Sequence, residues 1–112
     1  MKHQLNLTQA ENAVCMQAMN FYTRIAPSSV QAQADIAFEK LVLEEEMDGM
    51  EMRILVKALR RNAQFFASKR KWSESDILNE LANLVDEERQ VFQQRNNPLA
   101  KEKAASAGTL TA

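Results

Sequence analysis

Few side chains in this sequence could do covalent chemistry, and they do not converge. The single histidine, His3, precedes every predicted helix. A general base must be held within hydrogen-bond reach of its proton, which a loose N-terminal arm cannot do. The single cysteine, Cys15, falls on the inward side of a predicted helix, where a thiol behaves as a small core residue. No Cys/His cluster has zinc spacing, and no Glu-x-x-His pair is available for a carboxylate-bridged metal pair inside a bundle. Glu44, Glu45 and Glu46 would point three ways from a helix, so they make a solvated run rather than a chelate. Only Gly49 and Gly108 are present, which excludes a glycine-rich phosphate loop. The residues therefore predict a non-enzymatic protein with no cofactor and no metal.

Non-covalent recognition is better represented. Between Met52 and Ser73 the chain carries seven basic residues (Arg53, Lys57, Arg60, Arg61, Lys69, Arg70 and Lys71) and no acidic one. The preceding segment, Asp35 to Glu51, carries seven acidic residues against Lys40 alone. On a helical wheel Arg53, Lys57, Arg60, Arg61, Gln64 and Ser68 share an arc of roughly 100° that no apolar residue interrupts. Met52, Leu55, Val56, Leu59, Ala63 and Phe66 form the main apolar arc of the same helix. Ile54, Ala58 and Phe65 form a second, narrower stripe. One stripe is enough to seat a surface helix, so the second either meets another helix of the bundle or is offered to a partner. Two readings of the basic arc stand. It is a solvated face paired with an acidic stripe (Asp35, Glu39, Glu46) on the helix before it, or it is a contact surface for an acidic protein or for phosphate.

These residues are positioned by helices whose starts are written in the sequence. Thr8–Glu11, Ser28–Gln31, Asp48–Glu51 and Ser73–Asp76 each read as a capping box, the last with a short aspartate in place of the usual glutamate. Met47 with Met52, and Trp72 with Ile77, stand where hydrophobic staples would flank the third and fourth starts. The spacing predicts helices over about 9–25, 29–46, 49–70 and 74–95, the first stopped by Pro27 and the last by Asn96-Asn97-Pro98. The fold class is all-α: a compact four-helix, bundle-like single domain over 1–97 with short loops, followed by a flexible tail over 98–112. Two glycines and two prolines in 112 residues agree, since a sheet protein would need more turns.

The fourth helix contains an oddity. Glu88 falls within its apolar arc, between Leu84 and Val91, and needs a partner such as Arg24, Arg61 or Arg95, partial exposure, or a role at an interface. Trp72, beside three cations, reads as a staple to Ile77 or as a surface on which a base could stack. Six methionines suit an adaptable core or an accommodating groove.

The formal net charge of −1 gives no overall pull toward nucleic acid, and no apolar run has membrane length. With one cysteine and no signal-peptide pattern, the expected location is the cytoplasm. The expected function is a small helical protein-interaction module: an adaptor, an inhibitor or a small subunit of a larger assembly. It would act through the basic face (Arg53, Lys57, Arg60, Arg61, Lys69, Arg70, Lys71) and the spare stripe (Ile54, Ala58, Phe65). The alternative is a protein that binds nucleic-acid backbone, or a helical subunit of a nucleoprotein complex. The connection from Ala67 to Ser73 lacks a turn glycine and the fourth helix begins acidic, so a helix-turn-helix is not indicated. The expected partner is a protein with an acidic surface or else nucleic acid, with self-association open and no membrane. Small size, helical make-up and no catalytic signature are also found in accessory proteins of phages and mobile elements.

Overall fold

In the computed structural model, residues 2–96 are described and form four helices without a strand. They are α1 (Gln9–Ile25), α2 (Ser28–Val42), α3 (Gly49–Ser68) and α4 (Trp72–Asn96). The all-α bundle expected from the sequence is the observed architecture. The expected tail over 98–112 lies outside the described residues. α3 is the central element: it packs on all three other helices, most extensively on α4. Met52, Leu55, Leu59 and Ala63 of its main apolar arc are buried in the core with Cys15, Met19, Leu78 and Val85. No helix among the described residues is long and apolar enough to cross a membrane.

Two of the four capping boxes form. Thr8 Oγ1 accepts from the Glu11 N–H at 3.1 Å while Glu11 Oε1 accepts from the Thr8 N–H at 2.8 Å. Asp48 and Glu51 make the same reciprocal pair, both at 2.8 Å. The flanking Met47 and Met52 are both buried, as a staple requires. The box expected at Ser28 does not form. Pro27, with its φ fixed by the ring, takes the cap position without a side-chain bond, and Ser28 and Ser29 are already helical. The box at Ser73 does not form either. Lys71 C=O accepts from the Ser75 N–H at 3.1 Å, so the helix is under way before Ser73 can cap it. Trp72 and Ile77 are not a staple, being 61% and 55% exposed.

α2 ends at Val42 rather than Glu46, and α3 at Ser68 rather than residue 70. The cause is the same at both ends. Glu44 and Arg70 adopt left-handed backbone conformations, with φ of 55° and 59°. Glu45 N–H then donates to Lys40 C=O at 2.8 Å and Glu44 N–H to Leu41 C=O at 3.3 Å. Likewise Lys71 N–H donates to Phe66 C=O and Arg70 N–H to Ala67 C=O, both at 2.9 Å. These are Schellman caps closed by residues other than glycine, the usual occupant of that position.

The N-terminal arm is held, contrary to the loose arm expected. His3 N–H donates to Met47 C=O at 2.7 Å, and Met47 N–H donates to His3 C=O at 2.9 Å. His3 Nε2 lies 3.1 Å from Glu88 Oε1, which also accepts from the Asn6 N–H at 3.2 Å. Glu88 thus has partners within the chain, but they come from the N-terminal arm rather than from an arginine. The His3 ring also lies 5.7 Å from that of Phe92.

Candidate interaction surface

The basic residues of α3 divide into two groups. Arg53, Lys57, Arg60 and Arg61 line a shallow groove between α3 and α4 with Val56 and Gln64, and the opposite wall supplies Asp86 and Arg89. All four α3 cations are exposed. Arg53 and Arg61 are separated by about 12 Å along the axis at 1.5 Å per residue, so the four make a compact positive row. Arg89 is a member that sequence reasoning missed. It stands three residues after Asp86, where it reads as a helix pair; its Nε and one terminal nitrogen lie 2.9 Å from Asp86 Oδ1. Five cations and one carboxylate therefore line the groove.

That carboxylate also faces Arg60, whose guanidinium stands 3.9 Å from Asp86 Oδ2. Among the described residues this is the only ion pair made by the α3 cations of the basic face, and its length and exposure keep its worth to about 0–1 kcal/mol. The acidic stripe on α2 does not neutralise the arc. Asp35 and Glu39 are exposed, and Glu46 lies beyond the end of α2. The ion pair that joins α2 to α3 has the reverse polarity: Lys40 of α2 with Glu51 of α3, Nζ to oxygen 2.7 Å.

Lys69, Arg70 and Lys71 form the second group, in the short connection that follows α3. Lys69 Nζ lies 5.8 Å from the centre of the Phe65 ring, and Lys71 Nζ 5.9 Å from that of Phe66, within cation–π reach. Phe65 is 42% exposed and rests at 5.2 Å from the Phe21 ring. Trp72, the most exposed large apolar side chain among the described residues, follows directly.

The spare apolar stripe needs correction. Ile54 and Ala58 are buried within the bundle and unavailable to a partner. A central helix that packs on three neighbours consumes both stripes over its first half. Only Phe65, near the end of α3, reaches the surface. Among the described residues no group of three His, Cys, Asp or Glu side chains could hold a metal ion. Cys15 is fully buried, and loss of hydration, with a smaller contribution from the Glu11 carboxylate, pushes its thiol up to about 12.

No family model, curated protein or solved structure matches the chain.

Proposed function

We propose that this chain is a non-enzymatic interaction module that engages an acidic surface of a protein partner through the basic face of α3. Arg53, Lys57, Arg60 and Arg61 supply the charge, and Phe65, with Lys69 across its ring, supplies an apolar anchor at the end of the row. The observation that carries the reading is the unneutralised arc. Its cations stand in solvent, and only Arg60 has a carboxylate near it, at 3.9 Å. Arginine and aromatic side chains are the groups from which interfaces draw most of their binding energy.

Binding to nucleic-acid backbone is a second reading, supported by Trp72. An exposed indole directly after Lys69, Arg70 and Lys71 combines a stacking surface with phosphate-attracting charge.

Affinity capture from extract of the native cell tests both readings. A stoichiometric protein partner is expected, retained after nuclease treatment and lost with Arg60→Glu/Arg61→Glu. Phe65→Asp is expected to weaken capture while leaving the helical circular dichroism unchanged. Capture that disappears on nuclease treatment favours the second reading. Capture indifferent to the charge reversal overturns both.

A further inference from the structure

α4 carries another surface, on the side turned away from the basic groove. Ile77, Leu84 and Val91 recur at seven-residue intervals, which places an apolar side chain about every 10.5 Å along a nearly straight line. They are 55%, 37% and 46% exposed. Two depressions meet at Leu84. One lies between the start of α1 and α4, lined by Ala10, Val14, Ile77 and Leu81. The other continues to Val91 beside the N-terminal arm at His3 and Asn6. The walls are acidic: Glu11 and Glu80 in the first, Glu87 and Glu88 in the second, with Arg95 at the far end.

We propose that this groove docks a basic amphipathic helix of a protein partner, one that presents apolar side chains at heptad spacing flanked by Lys or Arg. The apolar row fixes the spacing of the anchors, and the four carboxylates fix the sign of the flanks. A second copy of the chain is a poor occupant. In a twofold antiparallel pairing of α4 centred on Leu84, residues 80 and 88 are equidistant from the axis, so Glu80 faces the second copy's Glu88 twice. The groove is separate from the basic face. Two residues turn a helix by roughly 200°, so Asp86, which lines the basic groove, points away from Leu84. The two surfaces can be occupied together, and the inference does not depend on what binds α3.

The test is fluorescence anisotropy with a labelled synthetic helix of about 20 residues, long enough to span ~30 Å, carrying leucine at heptad spacing and lysine around it. A matched peptide with glutamate in place of lysine is the control. The lysine peptide is expected to bind the full chain, more weakly as salt rises, and the glutamate peptide not to bind. Leu84→Asp, and separately Glu80→Lys/Glu87→Lys, are expected to weaken binding by about tenfold or more, the scale of losing an interface anchor. The second variant changes only exposed charges, so it keeps the test valid if the first perturbs the fold. No binding of the lysine peptide, equal binding of both peptides, or binding indifferent to the Glu80/Glu87 reversal overturns the proposal. So does a dimer in analytical ultracentrifugation that Leu84→Asp abolishes, because a second copy then fills the groove.

Discussion

Lys40 of α2 and Glu51 of α3 form a largely buried ion pair with Nζ 2.7 Å from carboxylate oxygen, and the same Glu51 carboxylate accepts from the Asp48 N–H to close the cap of α3. One side chain thus fixes both the start of the central helix and its packing on α2. Glu51→Ala is expected to destabilise by about 3 kcal/mol, because it strands a buried ammonium and opens the cap. Glu51→Gln keeps the reach to Asp48 and isolates the ionic part. Urea unfolding of both variants, of Lys40→Met and of the double variants measures the coupling; additive effects would show that the pair contributes nothing of its own. The hydrogen bond to Glu51 raises the Lys40 pKa, partly offset by burial. The contribution is therefore complete below the ordinary lysine range, near pH 10.4, and disappears as pH rises through the elevated folded value.

Cys15 is expected to resist alkylation in the native state throughout the pH range where free thiols react. Its thiol ionises at about 12 when folded, against 9.0 without burial. Between those values the unfolded chain has lost the proton and the folded chain has kept it. This group's contribution therefore falls as pH rises, by at most about 1.4 kcal/mol per pH unit. Comparing alkaline unfolding of the native chain with Cys15→Ala isolates the slope. Rapid native-state labelling at pH 8 would contradict the burial.

Glu44 and Arg70 hold left-handed conformations that glycine adopts at little cost. Glu44→Gly and Arg70→Gly are each expected to raise stability, by about 0.5–1 kcal/mol. Thermal melts decide it. A loss of stability would mean that the side chains themselves hold the turns. Arg70→Gly also removes one charge of the basic cluster, so its effect on partner binding can be read separately.

Trp72 is 61% exposed and is the sole tryptophan. Its emission is expected to be red-shifted in the native state, readily quenched by iodide, and little changed in wavelength on unfolding. A blue-shifted native emission would restore the packing against Ile77 that its spacing suggests. With Lys69, Arg70 and Lys71 adjacent, the same fluorophore is expected to respond when an acidic partner occupies that end of α3.

The parts of the fold legible in the sequence are those fixed by strong local bonds. Asp48 and Thr8 announce their helices because each cap is a reciprocal pair four residues long. Ser28 and Ser73 carry the same pattern, but Pro27 and the tight turn after α3 start those helices earlier. The true ends of α2 and α3 were illegible because glutamate and arginine occupy positions where glycine would signal a stop. The basic row was legible as a wheel arc, whereas Arg89 belongs to it only through the packing of α4 on α3. The burial of Ile54 and Ala58 likewise follows from the central position of α3, which periodicity along a single helix does not encode.

The contact between His3 and Glu88 spans 85 positions of chain. During synthesis, α1, α2 and α3 emerge before Glu88, and until then the arm that carries His3 is held by its backbone pairing with Met47 and by the buried Leu5 side chain. The loop-closure entropy of so long a segment is overcome only after α4 has docked on α3. The arm is thus completed late, and a chain stopped short of Glu88 leaves His3 and Asn6 without the carboxylate that holds them.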